Sequence, residues 1–84
     1  MKYFVYMVTC ADGTIYTGYT KDILKRLEQH NTNTHGAKYT QTRRPVKLSF
    51  VEIVDSQREA ILRELEIKKL PRKKKISLIN GLAQ

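Results

Sequence analysis

Tyr3-Phe4-Val5-Tyr6-Met7-Val8-Thr9-Cys10-Ala11-Asp12-Gly13-Thr14-Ile15-Tyr16-Thr17-Gly18-Tyr19-Thr20 is the stretch that decides the fold. Residues 3–10 and 14–19 are rich in Val, Thr, Tyr and Ile, types that suit a pleated, half-buried surface. Asp-Gly between two such runs predicts a β-hairpin. Its register depends on the loop. A two-residue turn at Asp12-Gly13 sets Tyr6 opposite Tyr19. A three-residue loop, a type I turn followed by Gly13 at positive φ, sets Cys10 opposite Thr14, Val8 opposite Tyr16 and Tyr6 opposite Gly18. The three-residue loop is favoured, because glycine takes that φ with no Cβ clash. Tyr6 and Tyr16 then share one face of the sheet, whereas a slip of one residue separates them. Gly18 weakens a strand unless something approaches it closely, and opposite Tyr6 it would leave room for a ligand beside the sheet.

Beyond the hairpin, Thr20 is a candidate N-cap and Asp22 suits the positive end of a helix over about 21–30. Its apolar stripe is Ile23, Leu24 and Leu27. Residues 31–45 are polar and read as a long loop, a length that is usually functional in a compact domain. Val46 to Val54 reads as a third strand. Ser56-Gln57-Arg58-Glu59 is a capping box opening a helix to about Leu70. Pro71 ends that helix or opens another, and residues 72–80 form a short basic helix stopped at Gly81. The expectation is an α/β (α+β) fold of order β-β-α-β-α-α, a small three-stranded, largely antiparallel sheet flanked by helices.

The chain has 84 residues, short for one domain of roughly 100–200 residues, and is read as a single domain over 1–84. Sixteen basic residues against eight acidic ones give a net charge of +8, which excludes an acidic solvating tail and favours a polyanionic partner. Cys10 is the only cysteine, so an internal disulfide is excluded and a cysteine zinc site has no ligand set. A cytoplasmic location is expected. The apolar run from Tyr3 to Val8 falls far short of the roughly 18 residues a membrane span needs, so no membrane partner is expected.

Arg26 and His30 lie one helical turn apart, on one flank of the apolar stripe, at the rim of the packed surface. From spacing alone the simpler reading is an arginine stem over the core and a solvated histidine near the helix C-terminus. Glu64 follows Ala60 and Ile61 on the long helix and precedes Lys68 by one turn. Glu66, between Leu62 and Leu70, competes with it, and periodicity does not choose. Lys68, Lys69, Arg72, Lys73, Lys74 and Lys75 place six basic residues in eight. That density resembles a phosphate-contacting stripe more than a solvated face. Lys38, Arg43 and Arg44 could extend it from the loop, with Tyr39 available for stacking.

Together these residues resemble the GIY-YIG nuclease superfamily, and within it the branch of small single-domain bacterial proteins. Phe4-Val5-Tyr6 stands at the first triplet and Tyr16-Thr17-Gly18 at the second. Arg26 and His30 stand at the family's Arg and His/Tyr positions. Ala37-Lys38-Tyr39-Thr40, followed by Arg43-Arg44-Pro45-Val46, is typical of the small branch. Glu59-Ala60-Ile61-Leu62-Arg63-Glu64 matches the helix that carries the family's metal-binding Glu. The first triplet lacks its Gly and the second has Thr17 for Ile. Asn80 is a weak counterpart of the family's C-terminal Asn. No accessory DNA-recognition domain is evident.

The resemblance implies metal-dependent hydrolysis of a phosphodiester in nucleic acid, DNA ahead of RNA. Glu64 would hold Mg²⁺ or Mn²⁺, and Arg26 would neutralise charge on the phosphoryl oxygens. Tyr6, Tyr16 or His30 would deprotonate a water. Tyr16 is preferred because the second-triplet Tyr often has that role, and His30 follows because an imidazole of pKa near 6.5 needs no activation. The alternative is a non-catalytic nucleic-acid-binding module retaining the same fold.

Overall fold

The computed structural model describes residues 1–32, 40 and 42–81. Strands β1 (Tyr3–Thr9), β2 (Ile15–Thr20) and β3 (Lys47–Val54) form one antiparallel sheet in the order β2-β1-β3. Helix α1 (Ile23–Thr32) follows β2, and α2 (Gln57–Lys68) and α3 (Arg72–Ile79) follow β3. The order is the expected β-β-α-β-α-α.

The hairpin has the three-residue register. Tyr6 pairs with Gly18 and Val8 with Tyr16. The Gly13 amide donates to the Cys10 carbonyl at 2.9 Å, the Cys10 amide donates to the Thr14 carbonyl at 2.8 Å, and Gly13 has φ 87°. Asp12 Oδ1 accepts from both the amide and the hydroxyl of Thr14, fixing the turn with a side chain.

Central β1 is covered on both faces, which is why Val5, Tyr6, Met7 and Val8 are all buried. Val5 and Met7 pack with Ala60 and Ile67 of α2, joined by Leu78 and Ile79 of α3. Tyr6, Val8 and Cys10 pack with Val46, and Ile23 and Leu27 of α1 close over that face. Each large apolar side chain so buried contributes about 1.5–3 kcal/mol. A bulge at Ser49 lets Met7 pair with Phe50 and Val8 with Leu48, which keeps Leu48 on the α1 face.

Several local expectations need correction. The cap of α1 is Asp22, whose Oδ1 accepts from the Lys25 amide, while Thr20 instead accepts from the Asp22 amide. Leu24 is 75% exposed and leaves the apolar stripe. Helix α1 runs on through Asn31 and Thr32, which shortens the expected loop. Asn31 then bonds both the carbonyl and the amide of Val46, so Val46 is pinned to α1 and β3 starts one residue later. Ser56 caps α2 as expected. Pro71 is the cap of α3 rather than its first residue, and Gly81 follows at φ 69°. Among the described residues, no helix is long and apolar enough to cross a membrane.

Candidate active site

Alternation along two strands brings Tyr6 and Tyr16 to the α1 face, one residue pair apart diagonally. Gly18 lies under the Tyr6 ring. A Cβ built there would meet the Tyr6 hydroxyl at 2.7 Å, its Cζ at 2.9 Å and Tyr16 Cε2 at 3.2 Å. The missing side chain makes room for Tyr6 itself, not for a ligand as the sequence suggested.

Helix α1 delivers His30 against both tyrosines, with ring centroids 5.8 Å from Tyr6 and 5.3 Å from Tyr16, edge to face. His30 is fully buried, not a rim residue. Its Nε2 lies 2.8 Å from the Tyr6 hydroxyl and its Nδ1 lies 2.8 Å from Thr40 Oγ1. Arg26, half-buried one turn earlier, donates Nε–H to the Tyr6 oxygen at 3.4 Å and Nη1–H to Gln29 at 3.2 Å. Burial, then the nearby charges of Arg26 and Arg44, lower the His30 pKa to about 4. Burial raises the Tyr6 pKa to about 12; Arg26 opposes this, while the charge of Glu64 adds to it. Both groups are neutral at neutral pH. Both imidazole nitrogens are engaged, so the ease of ionisation expected of a free imidazole does not carry over to His30.

Glu64 comes from the opposite face of the sheet. Helix α2 is anchored by Ala60 and Ile67, not by Ala60 and Ile61. Glu64 shares their side of the helix, is 15% exposed, and meets Lys68 Nζ at 3.6 Å. Glu66 is 65% exposed and pairs with Arg63 at 2.6 Å. Burial thus separates two carboxylates that spacing left equivalent. No group of three or more His, Cys, Asp or Glu side chains that could hold a metal occurs among the described residues. A lone carboxylate still fits Mg²⁺, which keeps several waters and binds through one or two carboxylates plus substrate phosphate.

The basic residues divide by partner. Arg43 Nε pairs with Asp12 at 3.1 Å, and the Arg43 carbonyl accepts from the Ala11 amide, so Arg43 braces the hairpin turn. Arg44 donates Nε–H to the His30 carbonyl and closes the end of α1. Lys68 faces Glu64, while Lys69, Arg72, Lys73 and Lys74 are exposed and Lys75 is half-buried. Arg72 donates to the Gly13 carbonyl at 2.9 Å, and Arg72 and Lys75 line a cleft of about 190 Å³ with Thr14 and Ile15. Lys38 and Tyr39 lie outside the described residues. Thr40 and Gln29 were not legible as site residues. Gln29 stands at no diagnostic spacing, and Thr40, although it closes the Ala37–Thr40 stretch, gave no sign that it meets His30 ten positions earlier.

Comparison with known proteins agrees with this architecture. The GIY-YIG catalytic domain matches residues 2–77. The UPF0213 protein of Staphylococcus saprophyticus is 53% identical over 79 residues, 94% of this chain and 95% of that protein. The UPF0213 protein of Syntrophus aciditrophicus is 51% identical over 78 residues, 93% and 90% of the two chains. The solution NMR structure of the UPF0213 protein from Bacillus halodurans is similar at TM-score 0.61 and 41% identity, covering 95% of this chain and 84% of that one. An E. faecalis protein, also solved by NMR, is similar at TM-score 0.65 and 37% identity, covering 98% and 86%. A match of this extent to the domain, with relatives of the same size, means that the chain belongs to the GIY-YIG nuclease family, within its branch of small bacterial UPF0213 proteins.

Proposed function

We propose that this chain, acting as one domain over residues 1–84, is a metal-dependent endonuclease that hydrolyses phosphodiester bonds in nucleic acid, DNA ahead of RNA. The observation that carries the reading is the buried run from Thr40 through His30 and Tyr6 to Arg26, set beside Tyr16. A packing core has no need of an arginine held by a tyrosine–histidine pair, and buried polar runs of this kind are costly unless every member is satisfied.

The roles follow from reach. Tyr6 is buried and its pKa is pushed up to about 12, so it holds Arg26 rather than acting as base. His30 has both nitrogens engaged and no exposed surface. Tyr16 is half-buried on the same face and is the group able to meet a water, so it acts as the general base. Arg26 orients and neutralises the phosphoryl oxygens. Glu64 is the residue that would hold Mg²⁺ or Mn²⁺, which when bound supplies charge neutralisation at the scissile phosphate. Lys69, Arg72, Lys73, Lys74 and Lys75 contact backbone phosphates and give affinity without sequence preference. Arg43, Arg44 and Lys68, held on Asp12, the His30 carbonyl and Glu64, add to that contact, and Lys38 and Tyr39 are assigned to it from the sequence alone. A reducing cytoplasm suits the buried free thiol of Cys10.

The test is a cleavage assay on single-stranded, duplex and branched DNA and RNA with Mg²⁺ or Mn²⁺. Cleavage that disappears with chelator and with Glu64→Ala, while nucleic-acid binding persists, supports the reading. Binding without cleavage on every substrate would leave a non-catalytic module in its place.

A further inference from the structure

Thr40 has no exposed surface, and its Oγ1 lies 2.8 Å from His30 Nδ1. The direction of that hydrogen bond follows from counting donors along the run it terminates. A guanidinium can only donate, so the Tyr6 oxygen accepts from Arg26 Nε. Tyr6 has one proton of its own, and among the described residues His30 Nε2 is the acceptor that its hydroxyl meets. A buried hydroxyl without an acceptor is rare in folded proteins. Nε2 is therefore unprotonated. A neutral imidazole carries one ring proton, so Nδ1 bears it and donates it to Thr40.

We infer that Thr40 is a positioning residue: by accepting the Nδ1 proton it fixes the tautomer of His30, keeps Nε2 as the acceptor of the Tyr6 hydroxyl, and leaves the Tyr6 oxygen turned to Arg26. In the opposite tautomer, Nε2–H would compete with Arg26 for the Tyr6 oxygen, and the Tyr6 proton would have to find another acceptor. Arg26 would then lose the hold that aims it. The effect on turnover rests on the proposed nuclease reading, whereas the tautomer does not.

The experiment has two arms on the full chain. In the first, nitrogen-15 spectra near neutral pH report which His30 nitrogen is protonated, with His35→Gln used for assignment. Wild type and Thr40→Ser are expected to show Nδ1–H, and Thr40→Val a shift toward Nε2–H. In the second, Thr40→Val is expected to lower kcat roughly tenfold or more, the scale seen when an outer partner of a functional histidine is lost. KM changes by no more than about twofold, because substrate affinity resides in the basic residues, and Thr40→Ser restores kcat. An Nε2–H wild type overturns the inference, and so does a folded Thr40→Val chain that keeps the Nδ1–H pattern, whatever its kcat. The wild-type spectrum stands even if Thr40→Val does not fold. A wild type that cleaves nothing removes the nuclease reading, and the spectra still decide the tautomer.

Discussion

The Tyr6 hydroxyl lies 2.8 Å from Nε2 of His30, a contact buried between the sheet and α1 that joins residues 24 positions apart. It ties the first strand to the first helix as the central link of a buried polar run that continues to Thr40 and Arg26, where the lost partner of such a bond costs about 1–3 kcal/mol.

Stability should depend on pH through this pair. His30 has a pKa near 6.5 when unfolded and about 4 when folded. Between those values the unfolded chain binds the extra proton, so stability rises with pH across that window. The contribution is complete above pH 6.5 and lost as pH falls toward 4, amounting to about 3 kcal/mol. At the alkaline end the sign reverses. Tyr6 keeps its proton to about 12 in the fold against 10 when unfolded, so stability declines as pH rises through that range. Urea titrations across the pH range should show a plateau between these limits. Substitution His30→Gln should flatten the acid limb, and an unchanged limb would assign the effect to carboxylates.

Gly18→Ala should be destabilising by about 1–3 kcal/mol, as expected for overpacking a filled site. The added Cβ meets the Tyr6 hydroxyl at 2.7 Å, and that ring is buried and hydrogen-bonded, so it has little room to move. Urea unfolding gives the number. Wild-type stability would show that the ring tilts aside freely.

The local chemistry of the chain was legible in its sequence. Gly13 set the hairpin register, Ser56 set the start of α2 and Gly81 the end of α3, each through a backbone need of a few residues. Positions that depend on tertiary packing were not. Ile61, Leu62 and Leu65 are exposed while Ala60 and Ile67 are buried, so apolar residues lie on several sides of α2. Periodicity could not name its inner face, and Glu64 and Glu66 stayed equivalent until burial separated them. His30 looked like a rim residue because its cover comes partly from Thr40, ten positions away in a polar stretch.

The basic run should divide into unequal halves. Arg72 and Lys75 line one cleft with Thr14, and Arg72 is already braced on the Gly13 carbonyl, so less order is lost when a phosphate binds there. Replacing both by Gln should make the slope of log K against log[salt] shallower by about 2 on duplex DNA. Replacing Lys73 and Lys74 removes the same charge from exposed positions outside that cleft and should change the slope less. Equal changes for the two pairs would describe a diffuse positive face.

The two hairpin tyrosines should respond oppositely to loss of their hydroxyls. Tyr6→Phe leaves His30 Nε2 buried without its donor and removes the Tyr6 oxygen that accepts from Arg26 Nε, so it should lower stability by about 1–3 kcal/mol. Its effect on cleavage then comes through a less well-held Arg26. Tyr16→Phe changes a half-buried ring and should cost less than about 1 kcal/mol. If the Tyr16 hydroxyl is the base, kcat falls about 100-fold or more with nucleic-acid affinity unchanged. Urea unfolding and single-turnover cleavage of both variants check the contrast. A Tyr16→Phe chain with wild-type turnover, beside a well-folded Tyr6→Phe chain that is inactive, would move the base to the buried tyrosine and require the site to open before it can meet a water.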